Sequence, residues 1–283
     1  MNTSELESHY APAGALSYYE GPEIVARVRE ALAEAGLDPD ALDVDDLAPL
    51  DEFHALGRAA TLALAELAGV QAGQRVLDVG AGIGGPARVL AAHFGAHVTA
   101  LDATPRLCRA AEMLTRGAGL SDRVQIVCAN ALDLPFSDET FDLAWSQAVS
   151  QNVADKQRFV FEMARVIRPG GQLALFEVVC GPGGALEFPV PWADREEQSW
   201  LLAAEELREL LDSSRLELVA WTEGQDALDA IASAAAGVKQ PSSGQQLGLH
   251  ILMPDNEERM AGLARNVAQQ KIALVQLVAK RRP

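Results

Sequence analysis

A glycine-rich turn between a predicted strand and a predicted helix is the feature that most constrains this chain. The segment 76–85 reads Val-Leu-Asp-Val-Gly-Ala-Gly-Ile-Gly-Gly, with four glycines in its last six residues. Glycine has no Cβ, so it suits a backbone that turns tightly or lies against a ligand. Pro86 favours a first helical turn, and the free N–H groups of a helix N-terminus attract polar or anionic ligand groups. The segment therefore predicts a ligand-binding turn followed by a helix to about Phe94.

The spacing of these glycines leaves two classes of ligand open. Gly80, Gly82 and Gly85 satisfy the G-x-G-x-x-G pattern of dinucleotide sites. Asp102 follows about 20 residues later, where an acid can hold ribose hydroxyls. Asp78 distinguishes the two classes, because a carboxylate at the end of a buried strand repels a pyrophosphate and needs a partner. A ligand with a cationic amine and no phosphate, such as S-adenosylmethionine, suits it better.

The composition narrows the class of partner. Of the 283 residues, 23 are basic and 40 acidic, which gives a net charge of −17. Such a surface disfavours nucleic acid and anionic membranes, both of which attract Lys and Arg. Cys108, Cys128 and Cys180 are scattered, so they indicate neither a zinc site nor a disulfide framework. No signal peptide opens the chain and no apolar run of about 18 residues occurs, so we expect a cytoplasmic protein without a membrane span.

From Arg75 onwards, predicted strands alternate with predicted helices. This rhythm predicts a parallel sheet with helices on both faces. Ligands of such sheets bind at the carboxyl ends of the strands. The polar residues that lie near those ends are Asp78, Asp102, Asn130, Ser146 and Glu177. The predicted strands are 76–79, 97–101, 124–128, 142–146 and 173–179, and the predicted helices are 87–94, 105–118 and 156–167.

The regions on either side of this core follow a different plan. Amphipathic helices are predicted over 23–35 and 53–67, separated by an acidic loop. After Glu177 the chain continues with a Gly- and Pro-rich loop. If predicted strands 216–221 and 272–279 pair, the residues 222–271 between them form a long excursion, which we expect to be a lid over the site.

Two further segments extend the pattern of the glycine turn. Leu-Pro-Phe-Ser-Asp at 134–138 precedes Phe141-Asp142, and Ala-Arg-Val-Ile-Arg-Pro-Gly-Gly occupies 164–171. In this order and spacing, the three segments resemble the class I S-adenosylmethionine-dependent methyltransferases of the small-molecule branch. The resemblance extends over about 73–178. The helix that contains His54 is similar to the cofactor-covering helix of ubiquinone, sterol and phosphoethanolamine methyltransferases.

The resemblance implies a fold and a division of the chain. It implies a Rossmann-like α/β sheet of seven strands, mostly parallel with an antiparallel last strand, and helices on both faces. Residues 1–72 would be an N-terminal helical segment covering the cofactor, and 73–283 the S-adenosylmethionine-binding domain with the 222–271 insertion as a substrate lid. It implies methyl transfer to oxygen, nitrogen or carbon of a small molecule, with S-adenosylhomocysteine as the product and no metal ion.

The resemblance also implies roles for individual residues. Asp78 would meet the methionine amine, and Asp102 both ribose hydroxyls. The glycines of the turn would admit the methionyl part. The other residues implied to contact the cofactor are Gly57, Gly80, Gly82, Ala103, Asn130, Ala131, Ser146 and Gln147. Arg58 would help His54 and Gly57 to close over the methionine carboxylate, with a solvated helix charge as the alternative.

A displacement at a sulfonium methyl group requires mainly positioning, with a base only where the acceptor must lose a proton. The proposed bases are His54, Glu177 and His250. Relatives often carry a histidine just after the fourth strand, where this chain has Gln151 and Asn152 instead, so no base is transferred to that position. A structural histidine or ion-paired acid is the alternative for each of the three.

Several alternatives stay open at this point. An NAD(P)-dependent oxidoreductase fits the glycine spacing, and a non-catalytic binding protein fits the fold. The −17 charge disfavours an RNA methyltransferase. Trp192, Trp200 and Trp221 would suit a pocket for an aromatic or apolar acceptor, with ordinary packing as the alternative. The helical insertion would serve as a homodimer surface as readily as a lid.

Overall fold

The structure is a computed structural model that describes residues 24–52, 54–235 and 247–283. The first 23 residues of the predicted N-terminal segment, Phe53 and the part 236–246 of the predicted insertion lie outside the described residues. Within the described ranges, no helix is long and apolar enough to cross a membrane.

A seven-stranded sheet forms the centre of the molecule, with the strand order β3-β2-β1-β4-β5-β7-β6. The neighbours β3, β2, β1, β4 and β5 are parallel, and β7 pairs antiparallel with β5 and β6. The predicted α/β sheet and its antiparallel last strand are therefore confirmed. The strands are β1 Arg75–Val79, β2 His97–Asp102, β3 Val124–Cys128, β4 Phe141–Gln147, β5 Ile167–Cys180, β6 Leu216–Glu223 and β7 Ile272–Arg281.

Helices cover both faces of this sheet. Among the described residues they are α1 Ile24–Glu34, α2 Ala48–Asp51, α3 Gly57–Ala68, α4 Gly85–Phe94, α5 Pro105–Gly117, α6 Lys156–Val166, α7 Ala204–Ser213, α8 Gln225–Ala235 and α9 Asn256–Ala268. Three segments differ from the prediction by more than two residues. The helix predicted over 53–67 begins at Gly57, so His54 precedes it. The acidic loop contains α2, with Pro49 in its first turn. The chain leaves the helical conformation by Ile167 and enters β5 there, because Pro169 disfavours helical backbone at the residue before it.

Alternation along the strands divides the core into two layers. Leu77, Ala144 and Leu175 point to the face covered by α6 and α7. Val76, Leu143 and Trp145 point to the other face, beneath α3 and α4. Side chains two residues apart on a strand share a face. Asp78 and Gln147 therefore continue the α3–α4 face, and Ser146 and Glu177 the α6–α7 face.

A third apolar cluster joins the described part of the N-terminal segment to the predicted insertion beside the glycine turn. Leu247, Ile251 and Leu252, from the predicted insertion, pack with residues of α1 and with Ile83. Burial of this apolar surface is what attaches the N-terminal segment and the insertion to the rest of the molecule. A fourth cluster packs α9 against the loop 181–203.

Candidate active site

The glycine turn begins where β1 ends. Gly80 has φ of +78°, in the left-handed region. A Cβ on Gly80 would lie 2.3 Å from Cγ2 of Val149, the residue that follows the β4 turn. No side chain fits at that distance. The glycine at this position therefore allows the turn after β4 to lie directly against the turn after β1.

The N-terminus of α4 is covered by the chain itself. The carbonyl oxygen of Asp51 lies 2.2 Å from where a Cβ on Gly85 would stand. The Asp78 carboxylate lies near the first turn of α4, where the backbone N–H of Ala87 lowers its pKa. A protein carbonyl and a protein carboxylate therefore take the place where a dinucleotide would put its pyrophosphate.

Asp78 is the least satisfied acid of the site. Its side chain is buried, and its Oδ2 atom has no hydrogen-bond partner among the described residues. Burial, together with the negative charges of Glu52 and Asp102, raises the pKa of Asp78 to about 8. A buried carboxylate in this state needs a cation or a hydrogen-bond donor.

Gln147 lies on the same face of the sheet, close to Asp78. Its Oε1 accepts a hydrogen bond from Trp145 Nε1 at 3.0 Å and lies 3.1 Å from Thr61 Oγ1. Its Nε2 is buried and has no partner among the described residues. Asp78 pairs in register with Trp145, two residues before Gln147. An unpartnered acceptor and an unpartnered donor therefore face one region at the carboxyl ends of β1 and β4.

Asp102 is the last residue of β2, the strand next to β1, and its carboxylate lies at the same edge of the sheet. Its Oδ2 accepts the N–H of Gly82 at 2.9 Å, and its Oδ1 accepts the N–H of Thr104 at 2.8 Å. Burial raises the pKa of Asp102, and these two hydrogen bonds oppose that rise. Each carboxylate oxygen has a second lone pair, which remains for a ligand hydroxyl. Ala103 follows directly in the turn.

Asn130 and Ser146 use their side chains within the protein. Asn130 Oδ1 accepts the N–H of Leu132 at 2.9 Å and so fixes the turn that contains Ala131. Ser146 Oγ donates to the carbonyl oxygen of Val79 at 2.9 Å, which links β4 to β1. Of the neighbours Ser146 and Gln147, only Gln147 has an unpartnered polar atom.

A buried polar network holds the N-terminal segment over this edge. Glu52 Oε1 accepts from Arg58 Nε at 2.7 Å, and its Oε2 lies 2.9 Å from His54 Nε2. Thr61 Oγ1 donates to the same Oε2 at 2.8 Å. Burial opposes the ionisation of Glu52, but the hydrogen bonds and charges of His54 and Arg58 prevail and lower its pKa to about 2. Glu52 is therefore a buried anion within reach of Asp78.

The same network accounts for three residues that the sequence assigned to the cofactor. Arg58 also donates to Asp45 Oδ1 and to the carbonyl of Val44, so its guanidinium bonds to the segment before α3. Gly57 is the first residue of α3. His54 places its ring edge-on to Phe176, with 5.7 Å between centroids. The sequence did not single out Glu52, whose only signal is an acid a few residues before His54 and Arg58.

Glu177 lies at the end of β5, on the opposite face from Gln147. Its Oε2 accepts from Ser150 Oγ at 2.7 Å, and its Oε1 has no partner among the described residues. Burial raises the pKa of Glu177 to about 7, against the effects of Ser150 and Lys156. The Lys156 amine donates to the carbonyls of Ser150 and Val153. The acid and the amine together hold the turn after β4.

His250 lies in the predicted insertion. It belongs to the 3₁₀ turn Leu249–Ile251, whose apolar neighbours are buried in the third cluster, and its own side chain is exposed. Two of the three tryptophans of the expected pocket lie in different apolar clusters. Trp192 belongs to the fourth cluster, and Trp221 packs on the α6–α7 face and stacks beneath Arg208 at 3.6 Å. For these two side chains the structure shows ordinary packing, the alternative to a shared pocket.

Comparisons with known proteins agree with this geometry. The family described as "Methyltransferase domain" matches residues 77–175. Methyltransferase GfsG of Streptomyces halstedii is 38% identical over 144 residues, which are 51% of this chain and 50% of that protein. The chain thus spans about half the length of that relative.

Solved structures extend the similarity of fold to most of the chain. The [4+2]-cyclase SpnF has a TM-score of 0.62 at 23% identity, over 90% of this chain and 93% of that one. Geranyl diphosphate C-methyltransferase from Streptomyces coelicolor A3(2), solved with S-adenosyl-L-homocysteine, has a TM-score of 0.59 at 18% identity, over 79% of this chain and 78% of that one. The match over β1 to β5 shows that residues 77–175 are similar to the methyltransferase-domain family, and the solved structures show that the similarity of fold extends beyond this segment.

Proposed function

We propose that this protein transfers a methyl group from S-adenosylmethionine to a small-molecule acceptor. The observation that carries the proposal is Asp78. Its carboxylate lies at the N-terminus of α4, where a dinucleotide needs its phosphates. Its Oδ2 is buried and has no partner among the described residues. Only a ligand that brings a cation or a donor to that point, and no phosphate, satisfies both conditions. The oxidoreductase alternative finds no support in the family match.

The residues of this edge fit the cofactor from end to end. Asp78 Oδ2 would accept a hydrogen bond from the methionine ammonium, and Gln147 Nε2 would donate one to the methionine carboxylate. Gly80 and Gly82 would line the methionyl chain. Asp102 would accept the ribose hydroxyls on its free lone pairs. Ala103, Asn130 and Ala131 would border the adenine. His54, Gly57 and Ser146 would hold in place the segments that contact the cofactor.

S-Adenosylmethionine, when bound, supplies a methyl group already activated by its sulfonium. The chain then has to orient the acceptor and exclude water, which in other enzymes accounts for much of the rate. Among the three proposed bases, Glu177 has an unpartnered oxygen and a pKa of about 7. A proton acceptor with that pKa matches the requirement for general-base work near neutral pH. His54 and His250 would serve cofactor closure and acceptor contact.

The roles of the N-terminal segment and of the insertion are also part of the proposal. Residues 1–72 would cover the cofactor and 222–271 would form the lid, supported by the third cluster, which joins both to the glycine turn. The acceptor would be a small molecule of aromatic or apolar character. A cytoplasmic location, a homodimer and the absence of nucleic-acid partners are part of the proposal, the last supported by the −17 charge.

Calorimetric binding of two nucleosides tests the role of Asp78. S-Adenosylhomocysteine carries the amino-acid group, and 5′-methylthioadenosine lacks it. We expect Asp78→Asn to weaken the binding of S-adenosylhomocysteine by about 10- to 150-fold, which is the usual contribution of a hydrogen bond to a charged group. The affinity for methylthioadenosine should stay unchanged. Asp142→Asn, at the opposite end of the sheet, is the matched control and should alter neither. Equal losses for both nucleosides in Asp78→Asn would refute the assignment.

Binding alone does not establish methyl transfer, because a [4+2]-cyclase shares this fold over 90% of the chain. A panel of aromatic and apolar acceptors with methyl-labelled cofactor tests the reaction. Label in an acceptor supports the proposal. Tight S-adenosylhomocysteine binding with no transfer to any acceptor favours a cyclase-like or non-catalytic use of the fold. Binding of NADH in place of S-adenosylhomocysteine would restore the oxidoreductase alternative.

A further inference from the structure

Two of the cysteines that are scattered in the sequence meet at the edge proposed for adenosine. Cys108 lies in the first turn of α5, and Cys128 is the last residue of β3. Each thiol affects the pKa of the other, and their Sγ atoms contact the carbonyl oxygens of two adjacent residues, Asp102 and Ala103. Cys128 stands in register opposite Asp102 on the neighbouring strand. The fold therefore places a pair of thiols beside the acid proposed to bind ribose.

The two thiols also contact the backbone that carries this acid. Cys108 Sγ donates to the carbonyl oxygen of Asp102 at 3.5 Å, and Cys128 Sγ to that of Ala103 at 3.9 Å. Asp102 in turn depends on the N–H of Thr104 for one of its carboxylate contacts. The segment 102–104 thus lies between the two sulfur atoms and the proposed cofactor site.

We propose that Cys108 and Cys128 form an oxidation site, in which a peroxide converts the two thiols to a disulfide that weakens binding of the cofactor. Formation of the disulfide is independent of the enzyme's activity. Its effect on the cofactor rests on the proposed function.

The two cysteines differ in exposure, which sets the order of the steps. Cys128 is exposed and Cys108 is buried. Cys128 is therefore the sulfur that attacks the peroxide O–O bond, which gives a sulfenic acid and one water molecule. Cys108 sulfur then attacks the Cys128 sulfur, the S–S bond forms, the S–O bond breaks and a second water leaves. The two thiol hydrogens end in water, so two thiols and one peroxide balance one disulfide and two waters.

Electrostatics set the rate of this reaction. Burial raises the pKa of the Cys108 thiol, and burial likewise raises that of Cys128. The negative charge of Asp102 acts in the same direction on both. Because the thiolate is the reactive form, the pair stays reduced under mild conditions and oxidises faster as pH rises.

A disulfide brings its sulfur atoms to about 2.05 Å, much closer than two thiols in hydrogen-bond contact. Closing that distance pulls the start of α5 towards the end of β3 and removes the S–H donors from the carbonyls of Asp102 and Ala103. The carboxylate of Asp102 shifts with its backbone. Linkage requires the reverse effect as well, so bound nucleoside favours the reduced pair by the same factor.

Peptide mapping of the full-length protein after hydrogen peroxide treatment, without reduction, tests the site directly. We expect a linked peptide that joins Cys108 to Cys128, with Cys180 still open to alkylation. Saturating S-adenosylhomocysteine should lower the yield of the linked peptide. A peptide that joins Cys180 to either cysteine, or Cys128 oxidised to a sulfinic acid without linkage, would overturn the proposal. The mapping needs no bound cofactor, so it stands even if the proposed function fails.

The affinity for S-adenosylhomocysteine before and after oxidation tests the consequence. We expect a loss of about tenfold, within the range usual for coupled sites. Cys128→Ser should keep the affinity of the reduced protein and become insensitive to peroxide. Cys180→Ser, which leaves the pair intact, is the matched control and should respond as the wild type does. A mapped disulfide with unchanged affinity would refute the effect on the cofactor while leaving the oxidation site in place.

Discussion

Two aspartates at opposite edges of the sheet show how this molecule separates structure from function. Asp142, near the start of β4, accepts the N–H of Arg75 at 2.7 Å and the Arg168 guanidinium at 2.6 Å. Partial burial raises its pKa, but these contacts prevail and lower it. Asp78, near the end of β1, is fully buried, keeps one oxygen unpartnered and has a pKa of about 8. The amino end of the sheet is satisfied internally, and the carboxyl end is left for a ligand.

A third aspartate sharpens the comparison. Asp51 is as buried as Asp78, but its carboxylate lies 2.6 Å from the Arg88 guanidinium, and both side chains are fully buried. Burial alone therefore does not mark a functional acid. The mark is burial combined with a missing partner, because natural structures seldom leave such a group unsatisfied without a reason.

The largest effect is expected for Asp51→Asn. The substitution leaves the charge of Arg88 buried opposite a neutral amide, with Thr115 Oγ1 at 3.2 Å as a further hydrogen-bond partner. Removing one partner of a buried ion pair costs about 3–5 kcal/mol. Urea unfolding measures this loss. Asp142→Asn, which breaks a partly exposed pair, is the control and should cost about 1 kcal/mol or less. An unfolding midpoint equal to that of the wild type in Asp51→Asn would show that the pair is not structural.

The next effect concerns the cofactor. Asp102→Ala removes both carboxylate oxygens from the ribose position and should lower the free energy of S-adenosylhomocysteine binding by about 1.5–3 kcal/mol. Calorimetry measures it. Because methylthioadenosine keeps the ribose, its binding to Asp102→Ala should weaken by the same amount. Its binding to Asp78→Asn, by contrast, should stay unchanged. Unchanged affinity for both nucleosides would remove Asp102 from the site.

The pH dependence of stability tests the state of Asp78. Its folded-state pKa of about 8 exceeds the usual value of an unfolded aspartate, so the folded protein binds more protons between the two values. Stability contributed by the neutral acid is complete below the unfolded pKa and is lost as pH rises towards 8. The slope approaches about 1.4 kcal/mol per pH unit for one proton.

Urea unfolding of wild type and Asp78→Asn at pH 5, 6, 7 and 8 would measure this slope. The stability of the variant relative to the wild type should rise with pH. Glu177, whose pKa is raised to about 7, acts in the same direction in both proteins and cancels in the difference. A difference that stays constant across this range would show that Asp78 is already ionised in the free protein.

The smallest effect is expected for His250→Ala. The side chain is exposed, and a surface substitution of this kind usually changes stability by less than about 0.5 kcal/mol. S-Adenosylhomocysteine affinity should also stay as in the wild type. If His250 contacts the acceptor, turnover falls while both other quantities hold. Full turnover with every acceptor that the wild type methylates would end that role.

Most of the fold was predictable because local chemistry and periodicity agreed. The strand-turn-helix at 76–94 needs glycines and an apolar strand, and both are visible in the sequence. Parallel strands place their carboxyl ends together, so Asp78 and Asp102 were expected at one edge. The boundaries that moved, at α2 and at the start of β5, depend on single prolines. The packing of Trp192 and Trp221 into different apolar clusters depends on tertiary contacts that no local pattern encodes.

Periodicity and backbone sterics act over a few residues, so the sheet, the glycine turn and the acid at its start could be predicted from the amino-acid sequence. Which polar atoms lack hydrogen-bond partners depends on the tertiary structure. Gln147 is satisfied on one side and open on the other, Arg58 is engaged by Glu52, and Cys108 meets Cys128. Each of these facts depends on contacts between distant segments, and burial gives such contacts their energetic weight.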